Sequence, residues 1–288
     1  MKIVHLSTNQ NTGGAAKAAY KIHNSCIENG LDSSLLVQKK ITNDKSTIDV
    51  NDIQKNLFNA QINSRLNALP LKIYQKRKIN NFSPSFFSFL SVKNNNYLKK
   101  ADIIVIYWIC EGFLSIREIG ELLKLGKPIL WRLSDMWPFT GGCHYSYGCT
   151  KYETLCGKCF QLNSQSNYDL SRLTLKNKIK FWKNTDNLTL IAPSKWIKKC
   201  ASKSAVFRNT KIELIHTGVD NKIFYPKDKY NCRKSLRLSH DKKLILFGSI
   251  NPFKDDRKGG NLLFKALTKL KNMENVELTI FGERASKN

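Results

Sequence analysis

The chain has 288 residues, 41% of them hydrophobic, which is long and apolar enough to fill the cores of two domains. Lys and Arg outnumber Asp and Glu 48 to 22, so the net charge of +26 calls for an anionic partner or reflects a composition dense in Lys and Asn. No run reaches the roughly 18 to 20 apolar residues of a membrane span, and MKIVHLSTNQ lacks an apolar signal core, so a cytoplasmic protein is expected.

In chain order, Lys2 to Ser7 reads as a strand, Gly13-Gly14 as a turn, and AAKAAYKIHNSCIENG as a helix with apolar positions at Ala15, Ala18, Ala19, Ile22 and Cys26, ended by Gly30. Glycines before a helix let the backbone approach a bound phosphate or sugar, and the helix start favours negative charge. The G-x-G-x-x-G spacing is not met, so the turn is a weak signal by itself. A second strand is expected at Ser34 to Val37.

The stretch from Ile53 to Ala101 has no acidic residue. It carries Lys55, Arg65, Lys72, Lys76, Arg77, Lys78, Lys93, Lys99 and Lys100, interleaved with Leu66, Leu69, Leu71, Ile73, Tyr74, Phe82, Phe86, Phe87 and Phe89. Cationic heads beside apolar anchors suit an anionic bilayer surface, each cation adding about 1 kcal/mol there. A solvated face with its apolar side in the core is the alternative, and the stretch as a whole is read as peripheral membrane contact.

Further strands are expected at Ile103 to Trp108 and at Pro128 to Leu133. The latter delivers Ser134 and Asp135 to a strand's carboxyl end, where open α/β sheets place ligands. Asp135 is therefore a candidate active-site carboxylate or, equally, the cap of the following turn. Next, WPFTGGCHYSYGCTKYETLCGKCFQL places Cys143, Cys149, Cys156 and Cys159 in a C-x5-C-x6-C-x2-C pattern, with His144 as a substitute ligand. Four thiolates in one loop suit a structural, tetrahedral zinc, with reduced thiols or a redox pair as the alternatives. Four sulfur ligands would leave no open position for catalysis by that metal. Cys26, Cys110, Cys200 and Cys232 show no framework spacing and read as reduced thiols.

Strands at Leu188 to Ala192 and Ile212 to His216 follow, with a helix over Lys195 to Lys203 capped by Ser194. Strands alternating with helices imply an α/β fold with a mainly parallel sheet and helices on both faces. Polar, irregular sequence after Ile215 marks a domain boundary. A strand at Lys243 to Phe247, a helix from about Asn261 to Lys271 and a strand at Val276 to Phe281 begin a second unit. One domain over 1–222 and part of another over 223–288 are expected, the second too small to bury a core of its own.

The chain resembles the retaining family-4 glycosyltransferases of the GT-B fold, particularly bacterial polysaccharide enzymes. The resemblance rests on KIVHLSTNQNTGGAAKAAYKI, WRLSDMWPFTGGCHYSYGC, IAPSKW, HTGVDNKIFYP and FGSINPFKDDRKGGNLLFKAL, in the family's order over nearly the whole chain. It implies a complete Rossmann-like acceptor-side domain followed by the first part of a Rossmann-like nucleotide-sugar domain, with donor and acceptor meeting in a crevice between them. Gly13 and Gly14 would face the donor diphosphate and acceptor, with Ser134 beside them. Lys258 would clamp the diphosphate, with Arg257 as a second cation and Gly259 and Gly260 presenting helix amides. The physical warrant is that a fixed cation stabilises the charge gathering on a departing diphosphate. An ordinary basic helix start is the alternative reading of RKGG.

Two departures stand out. Gly248-Ser249 replaces a Gly-Arg pair, and Ser134-Asp135 replaces a His-Asp pair, so a role requiring imidazole loses its residue at position 134. The family's later E-x7-E segment is not in the sequence, which reads as truncation with activity reduced or lost. The resemblance implies a UDP- or GDP-linked sugar donor, a lipid-linked or glycan acceptor, and work at the inner face of the membrane. Two other functions compete with it: a non-catalytic module that binds a membrane or a partner, and a basic zinc protein that binds nucleic acid. The second of these has no recognition helix or RNA-binding signature, so no specific nucleic-acid partner is expected.

Overall fold

The computed structural model describes residues 1–53, 60–77, 81–88, 90–182, 186–250, 253, 255–270 and 274–282. The chain divides into two compact units, Met1–Gly218 and Val219–Asn288.

The larger unit is built on seven parallel strands: β1 (Lys2–Asn9), β2 (Asp32–Lys39), β3 (Thr47–Asp49), β4 (Ile103–Ile106), β5 (Ile129–Arg132), β6 (Leu188–Ala192) and β7 (Lys211–Leu214). Their spatial order is β3-β2-β1-β4-β5-β6-β7, so the direction of winding reverses between β1 and β4. This is the doubly wound α/β arrangement the sequence leads one to expect, and it places ligands outside the carboxyl ends of the strands near the reversal.

Both faces of the sheet are covered, which is why its central strands read as nearly continuous apolar runs. Val4, Leu6, Leu36, Ile104, Ile106, Ile129, Trp131 and Leu190 point to one face, shared with the helices Ile116–Leu123 and Leu170–Phe181. Ile3, Val105 and Tyr107 point to the other, beneath Ala19 of the helix Gly14–Glu28. On the first face Trp131, Trp137, Trp182 and Phe207 form an aromatic nest with ring centroids 5.3 to 6.4 Å apart.

Ser194 caps the helix Lys195–Lys203 by accepting from the Ile197 amide, as its sequence position suggests. The helix Leu170–Phe181 was not among the expected elements, although Asp169 signals its start by accepting from the Ser171 and Arg172 amides. The three-residue strand β3 is also new; it is too short to show a pattern in sequence.

The membrane reading of 53–101 needs correction for part of its anchors. Lys55, Lys78 and Phe89 lie outside the described residues. Phe82 is buried, and Leu71, Tyr74 and Phe86 pack with it against Leu162 and Leu170, so these four serve the core. Leu69, Ile73 and Phe87 remain exposed. Among the described residues no helix is long and apolar enough to cross a membrane.

The smaller unit contains a second parallel pair, β8 (Lys243–Gly248) and β9 (Val276–Phe281), joined through the helix Gly260–Leu267. The helix stops short of the expected Lys271, and a 3-10 turn carries the chain on to Leu270.

Candidate functional site

At the reversal point, Gly13 turns the chain out of β1 with φ 88° and starts the helix Gly14–Glu28. No side chain caps this helix and no acidic residue lies in its first turn. A side chain begun at Gly13 or Gly14 would meet no atom within 4 Å, so the loop borders open space. Unsatisfied amides facing such space suit an anion or a sugar hydroxyl.

β5 delivers Ser134 and Asp135 to the same edge of the sheet. The Ser134 hydroxyl is buried and has no hydrogen-bond partner among the described residues. Asp135 is fully engaged: Oδ1 accepts from the Trp137 amide at 2.9 Å, and Oδ2 accepts from Trp108 Nε1 at 3.1 Å and lies 2.6 Å from His144 Nδ1. On its far side His144 Nε2 is 2.9 Å from Ser83 Oγ. The result is a buried chain of Ser83, His144 and Asp135 in which the carboxylate orients the imidazole.

The sequence pattern did not pair these residues: it offered His144 as a substitute ligand beside the cysteines and Asp135 as a site carboxylate or turn cap. The imidazole against Asp135 is that of His144, nine residues further along the chain. Its position follows from a pairing invisible in sequence: Phe82 bridges Cys143 in antiparallel fashion, and Ser83 donates its amide to the Gly142 carbonyl. Gly141 and Gly142 exist for this approach. A side chain at Gly141 would collide with the Ser171 carbonyl and stand 2.9 Å from Cys156 Sγ, and one at Gly142 would stand 2.6 Å from the Phe82 ring. The Gly-Gly turn is therefore a packing device.

Lys178 holds the same segment from below. It is fully buried, its amine donates to the carbonyls of Trp137 and Thr140, and it sits 3.8 Å from the centre of the Trp137 ring. Burial pulls its pKa down to about 7, against the opposing pull of Cys110, Cys143, Asp135 and Cys156.

The four loop cysteines come together. Cys143, Cys149, Cys156 and Cys159 line one small cavity with Phe82 and Gly141. Burial pushes the Cys143 thiol up to about 11 and the Cys156 thiol up to about 12, and raises Cys159 as well; in each case neighbouring loop thiols add to the rise. Gln161 lines the cavity too, and its buried Oε1 has no donor. Sulfur and oxygen acceptors converge there, but among the described residues no three His, Cys, Asp or Glu side chains are gathered in a metal-holding group. His144 is committed to Asp135 and Ser83 and is not a member of the set. All eight cysteines are free thiols.

In the smaller unit the two cations of RKGG differ. Arg257 forms a two-pronged pair with Asp255, Nε to Oδ1 at 2.8 Å and Nη2 to Oδ2 at 2.6 Å. Lys258 makes no side-chain bond to a described residue, and its charge helps hold the Asp255 carboxyl below its ordinary pKa, behind the larger effect of Arg257. Gly259, left-handed at φ 77°, starts the helix Gly260–Leu267, which also has no side-chain cap.

The fold is that of a doubly wound α/β protein, with an open Gly13–Gly14 loop where the winding of its sheet reverses between β1 and β4. No family model matches the chain. Over 167 residues, 57% of its length, the chain is 24% identical to an Escherichia coli (strain K12) protein named "Putative colanic acid biosynthesis glycosyl transferase WcaC", and spans 40% of that protein. The crystal structure of WaaG, a glycosyltransferase involved in lipopolysaccharide biosynthesis, aligns over 98% of this chain and 70% of its own, with 12% identity and a TM-score of 0.45.

Proposed function

We propose that the protein is a GT-B type glycosyltransferase of polysaccharide assembly, moving a sugar from a nucleotide-sugar donor to a lipid-linked or glycan acceptor with retention of configuration. The observation that carries this reading is the open Gly13–Gly14 loop at the topological reversal of a parallel sheet, in a chain similar over more than half its length to a named glycosyl transferase. The larger unit takes the acceptor side. The smaller unit takes the donor diphosphate on Lys258 and the amides of Gly259 and Gly260, and the Ser83–His144–Asp135 chain fixes the loop that borders the acceptor. Leu69, Ile73 and Phe87, exposed in a lysine-rich segment, support peripheral contact with an anionic membrane.

The test is transfer itself. The full chain, incubated with labelled UDP- and GDP-hexoses and inner membranes, is expected to move label into the lipid-extractable or polymer fraction, with product and donor sharing the same anomeric configuration. No transfer from any donor, by folded protein and equally after its fusion to a complete nucleotide-sugar domain, overturns the reading.

The same reading includes a structural cation in the cysteine cavity. Its support is the four thiols that line one cavity, which a cation would gather as thiolates. Protein purified without chelator is expected to contain about one equivalent of zinc. Replacing Cys156 and Cys159 by Ser should release it and lower the melting temperature. Metal-free protein with an unchanged melting curve in the presence of added zinc refutes the cation.

A further inference from the structure

We propose that Arg132, Ser134 and Thr217 form an oxyanion subsite at the carboxyl end of β5, built to take a phosphate group. Arg132 is only 9% exposed, and its guanidinium makes a single side-chain hydrogen bond, Nη2 to Thr217 Oγ1 at 2.7 Å. A guanidinium has five N–H donors in a planar fork. Four of them have no partner among the described residues.

No carboxylate answers this charge. Burial lowers the Arg132 pKa, and the group acting against that is the Tyr107 phenol, which burial keeps protonated. Beyond Tyr107 the buried strip continues through His5, whose Nδ1 is 3.0 Å from the Tyr107 hydroxyl, to His23, 5.5 Å from His5 between ring centres. His5 is held neutral, its pKa lowered to about 3 by burial and by His23. The carboxylate on β7, Glu213, pairs with Lys211 at 3.4 Å. A desolvated cation surrounded by neutral groups is an unusual thing to maintain in a fold, because buried charges are ordinarily paired.

The second observation is independent of the arginine. Two residues further along, past the last ladder bond from the Leu133 amide to the Ile191 carbonyl, lies the Ser134 hydroxyl, buried and without a partner among the described residues. A bare donor fork and a bare hydroxyl thus leave the same strand end, and Thr217 stands exposed at the mouth. Two prongs of the guanidinium with the hydroxyls of Thr217 and Ser134 offer three or four donors at this strand end. That number suits the tetrahedral oxygens of a phosphate better than the two oxygens of a carboxylate.

The anion binding stands on these contacts alone. Which phosphate arrives in the cell, one on the acceptor or one on the donor, rests on the transferase reading.

The experiment titrates inorganic phosphate into the full chain at constant ionic strength, with chloride and acetate as comparators. Wild type is expected to show saturable phosphate binding that chloride and acetate do not reproduce. Arg132→Gln should weaken one binding event about tenfold or more, since a charge-assisted pair is lost. Ser134→Ala should weaken it by about tenfold, as for one hydrogen bond to a charged oxygen, and Arg132→Lys should fall between wild type and Arg132→Gln. Should Arg132→Gln fail to fold, Arg132→Lys and Ser134→Ala carry the comparison. Unchanged phosphate affinity in folded Arg132 and Ser134 variants overturns the proposal, as does a loss of binding that follows Lys258→Ala alone. A lower melting temperature with intact phosphate binding would mean that Arg132 only ties β5 to Thr217, and would overturn it equally. If transfer is detected, Arg132→Lys raises KM for the acceptor when the acceptor supplies the phosphate, and for the nucleotide sugar when the donor does. Failure of the transferase reading would leave phosphate binding in place, so the two can be told apart.

Discussion

Replacing Lys178 by Ala is expected to cost about 3 to 5 kcal/mol of stability, measured as a shift in the denaturant midpoint of the larger unit. The Thr140 carbonyl loses the amine donor, the Trp137 carbonyl is left with the Thr140 amide alone, and the amine over the Trp137 ring disappears along with the packing of the alkyl stem. Lys178→Met keeps the stem and should lose less. The methionine variant also isolates a pH effect. The folded-state pKa of about 7 lies below the ordinary value of 10.5. Between these values the unfolded chain holds the proton and the folded chain does not, so the contribution of Lys178 to stability rises with pH across that window and is flat below about 7. The full rise is on the order of a few kcal/mol. Thiols and phenols titrate in the same range, so the quantity to compare is the difference between wild type and Lys178→Met from pH 7 to 10. A difference that stays constant would show that Lys178 has an ordinary pKa and is solvated.

The parallel sheet was legible because its central strands are buried on both faces, which writes IIVI as an unbroken apolar run and IVHL and ILWR as runs interrupted only by His5 and Arg132. Ser194 and the helix after it could be read for the same kind of local reason, a cap followed by a periodic apolar face. What sequence did not show is long-range. Asp135 and His144 meet where the Met136 amide donates to the His144 carbonyl and where residues 81–83 run antiparallel to 142–144, the latter a pairing that joins positions about sixty apart through one bridge and carries no periodicity. The basic segment misled in the opposite direction. Phe82, Tyr74 and Phe86 look like surface anchors among lysines, yet they fill the underside of the cysteine loop, a cavity wall that no local pattern announces. Lys178 shows the same limit: within LSRLTLKNKIKF it is one of three similar lysines, and only the placement of the Trp137 and Thr140 carbonyls makes it the buried one.

Lys258→Ala is expected to reduce kcat/KM for the nucleotide sugar by about a hundredfold, equivalent to about 3 kcal/mol of transition-state stabilisation, while leaving the melting temperature within a degree or two. The asymmetry between the two cations of RKGG makes this a sharp test. Arg257 is tied at both prongs to Asp255, so its charge is already matched and its geometry already spent on a carboxylate. Lys258 has no such bond, and the helix beginning at Gly260 adds uncapped amides directly after it. A departing diphosphate gains most from the cation that is not already tied by hydrogen bonds to a described carboxylate. Arg257→Ala should therefore cost less in catalysis than Lys258→Ala, and should cost stability by freeing Asp255 in a half-exposed setting, where an ion pair contributes at most about 1 kcal/mol. Lys258→Arg should restore part of the activity, since the charge returns with altered reach. Equal losses for Lys258→Ala and Arg257→Ala would mean that the Asp255 pair opens when donor binds. A larger loss for Arg257→Ala would move the diphosphate contact from Lys258 to Arg257 and remove the argument from the free lysine altogether.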